Sequence, residues 1–127
     1  KAALAHVVLF TVGGIPSVYY GDEQAFAGTK TERIGGDDEV RPPFPDDPKE
    51  LSDLGSWAHQ LIKDLISLRR RNPWLATAKT KTVELSNTEF VYDSISEEGN
   101  LLRVHLNLED QPSAQILVGD ETFEISV

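Results

Sequence analysis

Two neighbouring carboxylates, Asp22 and Glu23, follow an apolar run directly after Gly21. The run, Ile15–Tyr20, has the composition of a strand that is buried on both faces. Polar side chains at the carboxyl end of a barrel strand lie at the active-site rim, so the two acids are candidates for chemistry. Adjacent residues on a strand point to opposite faces, so we do not expect them to act as a general acid and base on one bond.

A second group of acids lies in the long polar segment 21–50, at positions 37–39 and 46–47. Connections of this length are either functional or disordered, and the aromatic residues Phe26 and Phe44 favour an ordered functional loop. The acids lack the regular spacing of a calcium loop, and the three histidines of the chain are not grouped on one element. We therefore expect no metal and no other cofactor.

The elements that would position these side chains are a helix, a strand, a second helix and then a run of strands. Apolar residues nearly all round predict a helix over 2–12, which two glycines end before the strand 15–20. Three-and-four spacing of apolar residues predicts a helix with a buried stripe over 53–72, with the arginines 69–71 complementing its carboxyl-terminal dipole. The stripe comprises Leu54, Trp57, Leu61, Leu65 and Leu68, widened by Ala58, Ile62 and Ile66.

After residue 75 the period of the apolar residues changes to two, which predicts a small antiparallel meander. We expect the boundary between two domains here, with residues 1–77 forming an α/β part and residues 78–127 a small all-β domain. The predicted strands are 82–86, 89–95, 101–108, 114–118 and 121–127.

Composition restricts the classes of function. The chain of 127 residues has 12 Lys and Arg against 21 Asp and Glu, a net charge of −9, which argues against nucleic acid and anionic membranes as partners. It has no cysteine, and no apolar run approaches the ~20 residues of a membrane span. We expect a soluble protein and favour the cytoplasm, although no signal fixes the compartment. The sequence begins at Lys1 within a helical pattern, without a capping residue, which predicts a truncated chain.

Several of these patterns together resemble the α-amylase family (glycoside hydrolase family 13). Residues 14–23, Gly-Ile-Pro-Ser-Val-Tyr-Tyr-Gly-Asp-Glu, look like the eighth barrel strand of that family, and residues 1–12 look like the helix before it. Residues 61–75, which end in Leu-Arg-Arg-Arg-Asn-Pro-Trp-Leu, resemble the eighth barrel helix and its exit. The implied fold class is α+β as a fragment: the last α/β unit of a (β/α)8 barrel followed by an antiparallel β-sandwich, domain C.

The resemblance also implies roles for particular residues. The catalytic carboxylates of the family follow earlier strands, so none is expected in this chain, and Tyr20, Asp22 and Glu23 would support the active-site rim. The segment 36–42 resembles that of cyclomaltodextrinase- and neopullulanase-like members, in which an Asp and an Arg bind glucose at the −2 subsite. Those residues would be Asp37 and Arg41, although the two side chains could instead pair with each other and only staple the loop.

The function implied is that of the carboxyl-terminal fragment of a retaining glycosidase that acts on α-glucans or maltooligosaccharides and is inactive alone. Two alternatives remain open. One is a carbohydrate-binding or packing module, with Phe90 and Tyr92 on one strand face as the aromatic surface. The other is a segment of a family transglycosylase or isomerase. Without the rest of a barrel, the strand 15–20 would lack parallel neighbours, and we expect self-association through it.

Overall fold

The structure, a computed structural model, describes residues 2–40 and 42–126. The chain divides into two compact units, one formed by Lys1–Pro16 with Leu65–Val127 and the other by Ser17–Asp64. Helix α1 spans Ala2–Thr11, and helix α2 spans Ser56–Arg71 after a turn of 3-10 helix at Asp53–Gly55. Both helices therefore form where the apolar periodicity predicts them.

A single antiparallel sheet forms the larger part of the first unit, with its five strands paired in chain order. The predicted meander is confirmed. The strands are β1 (Lys79–Leu85), β2 (Glu89–Ile95), β3 (Leu101–Asn107), β4 (Ser113–Val118) and β5 (Glu121–Ser126). Within residues 2–40 and 42–126 the strands form one sheet, and the predicted composition of a barrel unit followed by a β-sandwich stays a prediction. Short connections pair each strand with the next, and α1 packs against β3 and β4.

The core of this unit lies between α1 and the sheet. Leu4, Val7 and Phe10 are buried along α1. Opposite them, Val104 and its neighbour in register on β4, Ile116, are fully buried. On β3 the alternate side chains are only partly buried, which is the pattern expected of a sheet with one face in the core and one in water.

A buried polar junction connects the end of α1 to β2. The Thr11 hydroxyl donates to the Val7 carbonyl at 2.6 Å and lies 2.5 Å from the Tyr92 hydroxyl. Ser94 donates to the Thr11 carbonyl at 2.7 Å. Burial raises the pKa of Tyr92 to about 12. Because Tyr92 is fully buried, the sequence-based hypothesis of an exposed surface formed by Phe90 and Tyr92 is wrong, although their rings do lie 5.0 Å apart.

Arg69 stabilises the carboxyl end of α1. Its guanidinium donates to the carbonyls of Phe10 at 2.8 Å and Val12 at 3.0 Å, and also to that of Gly14. These carbonyls lie at the negative end of the α1 dipole and have no partner within the helix. Partial burial lowers the pKa of Arg69. Arg69 lies in the last turn of its own helix, as predicted, and its hydrogen bonds also complement the carboxyl end of a neighbouring helix.

The predicted strand 15–20 does not form. A strand requires a hydrogen-bonded neighbour, and no strand within residues 2–40 and 42–126 pairs with this segment. Ile15 is 91% exposed and Tyr19 is 59% exposed. The predicted stripe of α2 is also only partly buried. Leu65 and Leu68 are buried, whereas Trp57 and Ile66 remain exposed because the chain covers one side of the helix.

Candidate functional site

A tight turn after Tyr20 positions the first candidate residues, all within the unit 17–64. Gly21 is buried and has φ 90°, a left-handed conformation that favours glycine. Its carbonyl accepts hydrogen bonds from the amides of Gln24 and Phe26, both at 3.0 Å. A Cβ at Gly21 would lie 2.6 Å from Cδ2 of Phe26, so the turn has no space for a larger residue.

Asp22 and Glu23 lie in this turn, within the 3-10 helix Asp22–Gln24, and not on a strand. Glu23 is half-buried, and its Oε2 accepts a hydrogen bond from the Gly21 amide at 3.0 Å. Asp22 is exposed. Glu23 thus fixes the backbone of its own turn, whereas Asp22 is free to face solvent or a ligand. Their predicted role at an active-site rim stays a prediction.

Tyr20 connects this turn to the proline-rich part of the loop. Its hydroxyl donates to the Pro42 carbonyl at 2.6 Å and accepts from the Phe44 amide at 3.1 Å. The rings of Tyr20 and Phe44 meet edge to face with their centroids 4.8 Å apart, and the centroids of Phe26 and Phe44 lie 5.1 Å apart. Edge-to-face aromatic pairs add about 1 kcal/mol beyond area burial. Tyr20 therefore anchors residues 42–44, directly after the predicted sugar-binding position 41.

Asp37 lies at the base of a compact loop. The loop is closed by hydrogen bonds from the Thr31 amide to the Gly36 carbonyl at 3.0 Å and from the Gly36 amide to the Arg33 carbonyl at 2.9 Å. The Asp37 carboxylate lies 3.2 Å from Nζ of Lys30, and the side chains are 38% and 71% exposed. Arg41, the other predicted subsite residue, lies outside the described residues. Sequence reasoning missed Lys30, although an opposite charge across a glycine-closed loop was a usable signal.

No group of three potential metal ligands comes together within residues 2–40 and 42–126. No helix in the same residues is long and apolar enough to cross a membrane. The groups that the structure shows at this site offer hydrogen bonding and charge: a half-exposed carboxylate beside an ammonium, on a loop held by aromatic contacts. Such groups bind polar, hydroxyl-bearing ligands.

Comparison with known proteins agrees with the sequence patterns. No protein-family model matches the chain. A cyclomaltodextrin glucanotransferase of Geobacillus stearothermophilus is 35% identical over 95 residues, and one of Bacillus sp. (strain 1-1) is 32% identical over 90 residues. The matches cover 73% and 71% of this chain but only 12% and 11% of the relatives, so the chain spans a small part of their length.

Solved structures show the same fold. AmyP in complex with maltose matches 99% of this chain and 32% of its own, with a TM-score of 0.70 and 14% identity. AmyP in complex with maltotriose matches with a TM-score of 0.67. The fold is thus similar to that of a segment of AmyP. With the sequence matches, this shows that the chain belongs to the α-amylase family, as a fragment. The closer relation to cyclomaltodextrinase- and neopullulanase-like members stays a prediction.

Proposed function

We propose that this chain is the carboxyl-terminal part of a retaining, α-glucan-active enzyme. In this proposal residues 1–77 close the end of a (β/α)8 barrel and residues 78–127 form domain C. The observation that carries it is the sequence match with two cyclomaltodextrin glucanotransferases over 73% and 71% of the chain. The two structural neighbours, bound to maltose and maltotriose, support an α-linked oligosaccharide as ligand.

We place the sugar contact of this chain on the loop that carries Asp37 and Arg41. A carboxylate accepts hydrogen bonds from two neighbouring sugar hydroxyls, and a guanidinium donates to their oxygens. The Asp37–Lys30 pair does not oppose this role. Ion pairs this exposed contribute at most about 1 kcal/mol, so sugar hydroxyls can replace the ammonium at little loss. Tyr20 supports the proposal because its two hydrogen bonds fix the backbone directly after position 41.

Retaining hydrolysis requires one carboxylate as nucleophile and a second as acid and base, about 5 Å apart. Asp22 is exposed and the carboxylate of Glu23 is used within its own turn, so neither is proposed as catalytic. In this proposal the catalytic carboxylates lie upstream of Lys1. The chain alone is then inactive, and its contribution is a subsite and a packing domain.

A second candidate is a segment of a transglycosylase of the same family. The names of both relatives favour it, because a glucanotransferase passes the glycosyl group to a sugar hydroxyl and not to water. The two candidates share the loop and the subsite. They differ in the acceptor, so the products formed from maltotriose distinguish them: hydrolysis gives only glucose and maltose, whereas transfer gives glucans longer than maltotriose together with the released glucose or maltose.

The test compares this chain with the same chain extended upstream through a complete barrel, both assayed on maltooligosaccharides. We expect activity only in the extended protein. There, Asp37→Asn should raise KM about tenfold with a smaller change in kcat, since it weakens charge-assisted hydrogen bonds made in the ground state as well as the transition state. Asp38→Asn is the matched control. Activity of the short chain, or equal kinetics of both variants, would contradict the proposal.

A further inference from the structure

A pocket of about 710 Å³ lies beside the end of α2, entirely within the unit that contains the sheet. Pockets of 300–1,000 Å³ are the size that holds small molecules. Its walls come from the helix end, the turn between β2 and β3, and the turn between β4 and β5. The residues that matter for recognition are Arg71, Asn72, Trp74, Asn100, Asp120 and Glu121.

The indole of Trp74 is held in one orientation at this pocket. Its Nε1 donates to Oδ1 of Asn72 at 3.1 Å. Asn72 is itself fixed, because its side-chain amide donates to the Leu68 carbonyl at 2.9 Å. The ring is nevertheless partly exposed. A partly exposed ring that is already immobilised loses little conformational entropy when a ligand packs on it.

Two hydrogen-bond acceptors at the pocket have no partner among the described residues. Asn100 donates its side-chain amide to the Ser96 hydroxyl at 3.0 Å, and its Oδ1 has no partner in the part of the chain that the structure describes. Asp120 follows Gly119, whose φ of 58° forms the turn, and its carboxylate likewise has no partner among residues 2–40 and 42–126. Both groups can accept from ligand hydroxyls.

The charges at the pocket select against ionic ligands. Arg71 is paired with Glu121 at 3.1 Å and lies 5.7 Å from the centroid of the Phe123 ring, so the carboxylate offsets its positive charge at the pocket. Asp120 adds a further negative charge. With no group of three metal ligands among the described residues, a cation has no built site here either. A neutral ligand with one apolar face and several hydroxyl donors fits best.

We propose that this pocket binds a neutral pyranose saccharide. The C–H face of the sugar ring packs on the Trp74 indole, and its hydroxyls donate to Asp120 and Asn100. Arg71 and Glu121 form the charged wall and orient each other. This site depends on the pocket alone and does not require the loop that carries Asp37 and Arg41 to bind sugar.

Maltotriose is the probe, added to the ¹⁵N-labelled chain of 127 residues and followed by NMR. The chain has two tryptophans, each with one indole N–H, so Trp74 reports on the pocket and Trp57 serves as the internal reference. We expect a saturable shift of the Trp74 signal. Asp120→Asn should weaken binding about tenfold, because it replaces a charge-assisted hydrogen bond by a weaker neutral one. Asp110→Asn, in the turn between β3 and β4, is the matched control and should leave binding unchanged.

Three results would overturn the proposal. They are no shift of Trp74 with maltotriose, equal weakening by the Asp110 and Asp120 variants, and displacement of maltotriose by inorganic phosphate, which would indicate an anion site. Failure of the proposed enzyme function appears in a different measurement, the kinetics of the Asp37→Asn variant, so the two failures are distinguishable.

Discussion

Replacing Tyr20 by phenylalanine tests how the candidate loop is held. The change removes one hydroxyl that donates to the Pro42 carbonyl at 2.6 Å and accepts from the Phe44 amide at 3.1 Å, and it keeps the ring against that of Phe44. A neutral hydrogen bond contributes about 1 kcal/mol net. Tyr20 is 45% exposed, so water replaces part of both bonds, and we expect a combined loss of about 1 kcal/mol.

The Phe44 amide reports this loss directly, because its own partner is removed. A loss of about 1 kcal/mol corresponds to roughly fivefold faster hydrogen exchange of that amide under native conditions. The amide of Val104, in the core sheet, should keep its exchange rate, since the opening is local. Tyr19→Phe is the control, because Tyr19 is 59% exposed. Unchanged exchange at Phe44, or the same acceleration from both variants, would refute the role assigned to Tyr20.

Three further predictions concern stability. Gly21→Ala should destabilise the fold by about 1–3 kcal/mol in urea unfolding, and more than Gly14→Ala, since φ is positive at both (90° and 108°) but only Gly21 has a neighbouring ring where the Cβ would lie. The hydrogen bonds from Arg103 hold the pKa of Asp93 below its usual range. The pair therefore stabilises the fold above about pH 4, and this stabilisation is lost on acidification. Asp93→Asn should reduce the fall in the free energy of unfolding at acidic pH. Burial raises the pKa of Tyr92 to about 12. The stabilisation by neutral Tyr92 is therefore present below about pH 10 and is lost as the pH rises towards 12. Tyr92→Phe should remove this loss of stability at alkaline pH, as measured by thermal unfolding against pH.

The sequence predicted the elements that depend on local periodicity. Helix α2 and the five strands form close to their predicted positions, because a period of 3.6 or 2 reflects which side chains must share a face. Tyr92 shows the limit of this reasoning. Its face was correctly read from the alternation along β2, but only the structure shows that α1 covers that face and leaves no exposed ring.

Predictions that depended on a partner element were the ones that failed. Trp57 and Ile66 follow the apolar spacing of a buried stripe, yet both are exposed. The spacing identifies the apolar face of a helix, but it does not show whether a neighbouring element covers that face. The segment 15–20 has strand composition and no strand beside it, so its backbone forms no ladder. Under the proposed function, these are surfaces that the remainder of an enzyme would cover.

The contacts of Arg69 and Tyr20 could not be predicted from the sequence, for a further physical reason. Arg69 donates to three carbonyls at the end of α1, and its sequence position, in the last turn of α2, indicated a role only for its own helix. The Tyr20 hydroxyl binds the backbone of Pro42 and Phe44, which lie 22 and 24 positions further along the chain in a loop without periodicity. In both cases one side chain with several donors or acceptors joins two backbone segments. Composition and spacing therefore identify which residues carry polar groups, whereas the backbone carbonyls and amides that they bind are known only once the chain is folded.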